Sequence, residues 1–172
     1  MANLIIYFSK NGENYVNGKI RSIVKGNSEI VAELVRRQFG GDLFKIETVK
    51  EYPDNYKECC DEAKREKNEG ARPELKNYLE DISAYDKVFI VGPCWWGTLP
   101  CAVFAQLERL DLSGKKVFVI VTHEGTGLGT AVEDVKKICH GAEFVEGYAV
   151  HGAEAAASEW PLRGWVVSIV GE

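Results

Sequence analysis

The chain contains 172 residues, of which 45% are hydrophobic and 27% charged, a composition typical of one globular domain with a full core. Lys and Arg number 21 against 26 Asp and Glu, and the resulting net charge of −5 argues against a nucleic-acid surface and favours basic partners. No apolar run reaches the length of a membrane span, and residues 1–9 lack the charged start of a signal peptide. We therefore expect a single domain over residues 1–172, cytoplasmic, with no nucleic-acid or membrane partner.

The five cysteines form no C-x-x-C pair, and their odd number indicates neither a disulfide framework nor a zinc knuckle. Reduced thiols that pack as small side chains are the expected state. The adjacent Cys59 and Cys60 leave a redox or metal-binding role as an alternative to packing.

The first apolar run, residues 4–8, leads into a polar, glycine-rich stretch that ends where a helix starts. Within this stretch, GENYVNGK from Gly12 to Lys19 nearly fits the phosphate-binding motif G-x-x-x-x-G-K-[ST]. The fit fails because five residues, not four, separate Gly12 from Gly18, and Ile20 replaces the magnesium-binding hydroxyl. This argues against a nucleoside triphosphatase and leaves open which other phosphate the loop would hold.

Short apolar runs rich in β-branched residues alternate with amphipathic segments along the chain. Residues 4–8, 88–91 and 117–121 are continuous apolar runs, which predicts strands covered on both faces. Residues 43–49 and 144–150 mix charged with apolar side chains, which predicts half-exposed edge strands.

Helical periodicity fills the gaps between these strands. The first helix is expected to end at Gly40-Gly41, and the second to span residues 55–69. The signals that mark the helix starts are a cap at Asn27 or Ser28, Asn55, a first-turn Pro100, a capping box of Thr130 with Glu133, and Pro161.

Strands that alternate with helices predict an α/β fold, a doubly wound parallel sheet of five strands with helices on both faces. With the doubly covered strands central and the charged strands at the edges, the strand order is 2-1-3-4-5. In such sheets ligands bind beyond the carboxyl ends of the strands, where successive connections go to opposite sides. The candidate binding loops are therefore residues 9–28, 92–99 and 122–129.

The first of these loops is suited to a phosphate group. Backbone amides and the positive end of the helix near Asn27 would receive the phosphate, with the Ser9 and Ser28 hydroxyls as further donors. Lys10 or Lys25 would add a positive charge.

The other two loops would hold a flat aromatic ring. Residues 92–99 read GPCWWGTL, and either Trp95 or Trp96 can stack on a ring, with core packing as the alternative for both. Residues 122–129 read THEGTGLG, whose backbone would bond the ring edge. His123 is a candidate proton donor, with a solvated loop histidine as the alternative. The His123-Glu124 pair lacks the second histidine of the zinc motif H-E-x-x-H, because Gly127 stands there.

In their order and placement, these motifs resemble those of the flavodoxin-like flavoproteins that bind FMN. The resemblance rests on YFS followed by GNSE, the G-P-x-W-W-G loop and the glycine-rich loop after the fourth strand, and it covers essentially the whole chain. It implies a flavodoxin-like fold with FMN as cofactor. The FMN-binding residues that it implies are Ser9, Lys10, Asn11, Asn14, Asn27, Ser28, Pro93, Cys94, Trp95, Trp96, Gly97, Thr122, His123, Glu124, Gly125 and Gly127.

The chain departs from the family pattern after the first strand. Family members carry a compact hydroxyl-rich loop, commonly T-G-N-T, which is split here between residues 9–12 and 26–28. Residues 13–25 form an apparent insertion, and Asn17-Gly18 at its centre is typical of a tight hairpin.

The resemblance leaves the function open among three classes. These are an electron carrier between protein partners, an NAD(P)H-dependent reductase of quinones or flavins, and a non-catalytic flavin-binding regulatory module. The three loops show no nucleophile with an adjacent base, no metal cluster and no paired carboxylates, which argues against hydrolysis and group transfer. The net charge of −5 and the apolar, aromatic slot of residues 92–97 favour the electron carrier over the reductase. A receiver domain shares the strand order but requires acidic residues where this chain has Ser9-Lys10 and Gly92-Pro93. The oligomeric state stays open.

Overall fold

The computed structural model describes residues 2–171. In chain order its elements are β1 (Ala2–Tyr7), β2 (Gly12–Val16), β3 (Lys19–Ile23), α1 (Asn27–Phe39), β4 (Asp42–Lys45), α2 (Tyr56–Glu69), β5 (Tyr85–Pro93), α3 (Cys101–Leu107), β6 (Lys116–His123), α4 (Ala131–Ile138), β7 (Glu143–Phe144), β8 (Tyr148–His151), a 3₁₀ helix (Gly152–Ala157) and α5 (Glu159–Val170). Among residues 2–171, no helix combines the length and apolar character needed to cross a membrane.

The main sheet is parallel, and its strands lie in the order β4-β1-β5-β6-β7, with β8 also paired to β6. When the hairpin strands β2 and β3 are left out, β1, β4, β5, β6 and β7 are the first to fifth strands along the chain. Their order in the sheet is then the predicted 2-1-3-4-5, and the three strands predicted to be central are central. The α/β doubly wound fold is thereby confirmed.

Successive residues of the central strands point to opposite faces of the sheet, and both faces are covered. Val88 and Ile90 belong to a core layer that includes α3 and α4, whereas Phe89 and Val91 belong to a layer that includes α1 and α5. This double burial explains why the central strands are continuous apolar runs without polar alternation.

Both predicted edge strands are wrong in extent. The strand expected over residues 43–49 is Asp42–Lys45, because after Ile46 bonds to Tyr7 the chain pairs instead with residues 74–76 through Thr48 and Leu75. The strand expected over residues 144–150 is divided into β7 and β8. Between them Gly147 packs closely on α4, where a Cβ would lie 2.6 Å from the Val132 side chain, so this position favours glycine.

The predicted insertion is a β-hairpin in which β2 and β3 pair antiparallel. Its turn residues Asn17 and Gly18 both have positive φ, 51° and 84°, the conformation of a type I′ turn that favours the Asn-Gly sequence. The hairpin forms a separate two-stranded sheet and extends none of the edges of the main sheet.

Helix starts follow the sequence signals unevenly. The helix predicted over residues 55–69 is α2, and the Asn55 side chain caps it, accepting from the Glu58 N–H at 3.0 Å. In α1 the cap residue is Gly26, and the hydroxyl of Ser9 accepts from the Glu29 N–H at 3.1 Å in place of the expected Asn27 or Ser28 cap.

The remaining helix starts differ in detail from the predictions. Pro100 precedes α3 as its cap residue, and α5 begins at Glu159, before Pro161. Thr130 stands at the cap position of α4, but its hydroxyl bonds to Asp134 and the Gly97 carbonyl, so the predicted capping box with Glu133 does not form.

Gln106 on α3 is fully buried and holds the irregular chain before β5. Its Oε1 accepts from the Leu79 N–H at 2.9 Å, and its Nε2 donates to the Leu79 carbonyl at 2.7 Å. We predict that Gln106→Leu lowers the free energy of unfolding by about 2 kcal/mol, because both backbone groups lose their partner. Urea unfolding measures the change, and a loss below about 0.5 kcal/mol would contradict this account.

Candidate functional site

A cavity of about 640 Å³ opens at the carboxyl ends of the central strands, where the three predicted loops meet. Its volume is in the range of small-molecule and cofactor sites. The structure brings together most of the predicted site residues in its lining, namely Ser9, Lys10, Asn14, Asn27, Ser28, Pro93, Cys94, Trp95, Trp96, Gly97, Thr122, His123 and Glu124.

Three predicted residues lie outside the cavity lining. The Asn11 carbonyl accepts from the Lys10 ammonium, and the Gly125 N–H donates to His123 Nδ1 at 2.9 Å. Gly127 has a φ of 69°, which serves the turn of the loop. These residues shape the loops, and the structure gives them no place in the cavity wall.

The start of α1 forms one end of the cavity through Asn27 and Ser28. In its first turn, Ser9 satisfies the Glu29 N–H and Gly26 satisfies the Ile30 N–H. The amides of Asn27 and Ser28 are therefore the ones placed to meet a ligand, with the positive helix end behind them.

The predicted hydroxyl donors at this end already have partners. The Ser28 hydroxyl is buried and lies 2.7 Å from Thr122 Oγ1, which ties α1 to the end of β6. Ser9 acts as the helix cap described above. The two hydroxyls thus organise the backbone around the cavity end.

The two predicted cations also have structural partners. Lys10 donates to the carbonyls of Asn11, Glu13 and Asp54 at 3.2, 3.1 and 3.5 Å. Lys25 forms an ion pair with Glu33 at 2.8 Å. Lys10 thus ties the base of the hairpin to the chain before α2, and Lys25 is engaged on α1.

The two tryptophans have different environments. Trp95 is half-buried, with ring centroids 5.1 Å from Phe8 and 5.0 Å from Tyr52, both edge-on. Tyr52 is fixed in turn by donation to Glu66 Oε2 at 2.7 Å. Trp96 is 45% exposed and stands at the tip of a turn, so it has the more accessible face.

The tryptophan turn is a second two-residue hairpin turn. Trp96 and Gly97 have φ values of 55° and 82°, and the Trp95 N–H donates to the Thr98 carbonyl at 2.7 Å. A positive φ is rare for a bulky residue and marks a strained conformation that surrounding contacts must maintain.

Asp134 on α4 fastens the tryptophan loop to the glycine-rich loop. Its Oδ2 accepts from the hydroxyls of Thr98 and Thr130, each at 2.7 Å, and the Thr130 N–H donates to the Gly97 carbonyl. Burial acts to raise the pKa of Asp134, but hydrogen bonds from Thr130, Thr98 and Lys137 outweigh it and hold the pKa below its ordinary value. A charged carboxylate therefore links the two loops.

The hairpin contributes Glu13, Asn14 and Tyr15 to the cavity lining and is fastened near its base and at its tip. Glu13 Oε2 accepts from the Tyr56 N–H at 2.7 Å, and Tyr15 stacks on Tyr56 with ring centroids 6.1 Å apart. At the tip, the Asn17 N–H donates to Glu124 Oε2 at 3.2 Å. The hairpin thus spans from the start of α2 to the end of β6.

Apart from Asn14, sequence reasoning missed the part of the lining that comes from the hairpin and α2. These residues are Glu13, Tyr15, Tyr56, Cys59, Cys60 and Ala63, and Thr126 of the glycine-rich loop is a further lining residue that was not predicted. An aromatic residue close to an Asn-Gly turn could have pointed to Tyr15, but nothing local to α2 indicates that its start faces the cavity. Burial raises the pKa of the Cys59 thiol to about 11, opposed by Lys10, which leaves this thiol protonated and supports the packing role.

His123, Glu124 and His151 form a titratable group at the end of β6. The rings of His123 and His151 are 5.7 Å apart, and His151 Nε2 lies 3.5 Å from Glu124 Oε2. Burial and the charge of His151 lower the pKa of His123, while Glu124 acts in the opposite direction. Because Nδ1 accepts from Gly125, the geometry also favours neutral His123. Among residues 2–171, no group of three His, Cys, Asp or Glu side chains is arranged to hold a metal ion.

The doubly wound fold and the cavity at its carboxyl edge define an α/β protein with a candidate ligand site. The sequence model of the flavodoxin family matches residues 20–169, and the chain belongs to this family. No curated protein sequence matches the chain significantly.

Solved structures with the same fold cover nearly all of the chain. A candidate flavoprotein from Bacteroides eggerthii is 25% identical, with a TM-score of 0.78, over 99% of this chain and 98% of that one. A second candidate flavoprotein, from Bacteroides uniformis, is 22% identical, with a TM-score of 0.73, over 94% and 97%. A flavoprotein from Lactobacillus acidophilus, solved in complex with FMN, is 17% identical, with a TM-score of 0.64, over 93% and 98%.

The lowered pKa of His123 predicts a pH dependence. Below the ordinary value of 6.5, the unfolded chain binds a proton at this residue before the folded chain does, so the free energy of unfolding falls as the pH falls through that window. We predict that NMR titration finds the His123 pKa below 6.5, that His151→Asn raises it, and that Glu124→Gln lowers it further. A His123 pKa insensitive to both substitutions would contradict the assigned causes.

Proposed function

We propose that this protein binds FMN in the cavity and carries electrons between protein partners. The cofactor proposal is supported by family membership and by three features of the cavity. One end presents the amides at the start of α1, the walls carry Trp96 and Tyr15, and the volume of about 640 Å³ suits one cofactor.

The residues fit the parts of FMN in a consistent order. The amides of Asn27 and Ser28 would hold the phosphate, and Trp96 would stack on the ring. His123 and Glu124 at the end of β6 lie beside the cavity and would contact its polar edge. FMN in this site supplies the electron transfer chemistry, and the chain binds, orients and shields it.

The tethered hairpin is the observation that favours a carrier over a reductase. Hydride transfer from NAD(P)H requires a second ring against the flavin, and hence an open face. Here the hairpin forms part of the cavity wall and is bonded to Tyr56 near its base and to Glu124 at its tip. Electron transfer requires only approach to an edge of the ring, which a roofed site still permits.

The partner of such a carrier would be another redox protein in the cytoplasm. The net charge of −5 supports steering toward a basic docking surface. If the hairpin opens readily, the reductase remains the competing function, with NAD(P)H and a quinone-type acceptor as its substrates.

We predict that Trp96→Ala weakens FMN binding about tenfold, or about 1.4 kcal/mol, because a stacked aromatic face is lost. The fluorescence of bound FMN should rise at the same time. Trp95→Ala is the matched control, and we expect it mainly to lower the free energy of unfolding, because Trp95 packs on Phe8 and Tyr52. Titration of the apoprotein with FMN measures both variants, and tight, fully quenched binding by Trp96→Ala would place the ring elsewhere.

Photoreduction of the FMN-loaded protein under argon tests the carrier proposal. We predict two separate one-electron steps in the absorbance spectrum, together with negligible oxidation of NADPH in the presence of quinones. Direct two-electron bleaching by NADPH with rapid quinone-dependent turnover would reject the carrier in favour of the reductase. FMN that binds but exchanges electrons with neither donor nor acceptor would favour the regulatory module.

A further inference from the structure

One face of α2 holds the turn that carries Trp96. The Trp96 indole Nε1–H donates to the Cys60 carbonyl at 2.9 Å. Lys64 Nζ lies over the indole ring, 5.0 Å from its centroid, and the Lys67 ammonium donates to the Trp96 backbone carbonyl. These three helix residues follow one another at intervals of about one turn, so they share a face.

These contacts stabilise an unfavourable backbone conformation at Trp96. Trp96 has a φ of 55° and is 45% exposed, so neither backbone preference nor burial fixes its ring. A left-handed conformation at a bulky residue persists only where the surroundings impose it. A hydrogen bond to the indole, a cation over the ring and a hydrogen bond to the backbone carbonyl together define both the turn and the orientation of the ring.

We propose that Lys64 and Lys67 are positioning residues for the flavin site. Lys67 fixes the peptide of the turn, and Lys64 occupies one face of the Trp96 ring and leaves the opposite face for a stacked ligand. This inference rests on the proposed function, because the ligand that would use that face is FMN.

The same helix face also fastens the hairpin. Tyr56 precedes Cys60 by one turn. Its backbone N–H donates to the Glu13 carboxylate, and its ring stacks on Tyr15. The two walls that are not part of the main sheet, the hairpin and the tryptophan turn, are therefore attached to one surface of α2. Their separation is set by the length of the helix between Tyr56 and Lys67.

The test compares two double variants that each remove two positive charges from α2. Lys64→Gln with Lys67→Gln removes the cation over the Trp96 ring and replaces the charged Lys67 donor with a shorter, uncharged amide. Lys57→Gln with Arg65→Gln is the control, since these residues pair with Asp61, Glu62 and Glu69. Lys64→Arg with Lys67→Arg keeps the charges and donors and should behave as the parent.

Two measurements report the position of Trp96. In the apoprotein, the indole N–H resonance, assigned with Trp96→Phe, should shift and exchange faster with water in the first double variant only. With FMN, the same variant should bind about tenfold more weakly and quench flavin emission less fully. The control variant should match the parent in both measurements.

Retention of the parent resonance, affinity and quenching by the first double variant would overturn the inference. An equal loss of affinity in the control would also overturn it, since general charge would then be the cause. If the parent binds no FMN while the indole resonance responds as expected, the positioning role stands and the proposed function fails.

Discussion

The burial of β5 and β6 on both faces is the constraint on which the rest of the structure depends. Two apolar layers cover these strands, so polar and glycine-rich residues can appear only where the strands end. Both strands run parallel and in register, which brings Pro93 beside Thr122. The tryptophan loop and the glycine-rich loop must then emerge side by side. The cavity at this edge is thus a consequence of how the core is built.

That dependence explains which features could be predicted from sequence. Continuous apolar runs identify the central strands, and their ends identify the three loops, because both signals are local. The edge strands are less predictable, since their extent is decided by remote partners. Residues after Lys45 leave the sheet, and Thr48 pairs with Leu75. At the other edge, Gly147 separates β7 from β8 and packs closely against Val132. Neither partner can be read from the strand itself.

The same distinction applies inside the site. Adjacent tryptophans indicate an aromatic wall, but two rings next to each other in a tight turn cannot share one environment. Trp95 pairs with Phe8 and Tyr52, whereas Trp96 is held by α2. The sequence does not indicate which tryptophan is packed and which is accessible, because the residues that contact them are far away in the chain. The Asn-Gly signal likewise predicts the hairpin, but its attachment to Tyr56 and Glu124 in the cavity lining is visible only in the structure.

The hairpin fits between β1 and α1 because the residues that precede it and follow it lie next to each other. Gly26 lies against Ser9 and Lys10 so closely that a Cβ there would collide with the Ser9 hydroxyl and the Lys10 carbonyl. From this position Ser9 caps α1 across the insertion, at the Glu29 N–H. The compact strand-to-helix loop of the family is therefore rebuilt from two separate pieces of chain. Because Gly26 packs on Ser9 and Lys10 and Ser9 caps α1, the residues between them form a hairpin while the first turn of α1 keeps its cap.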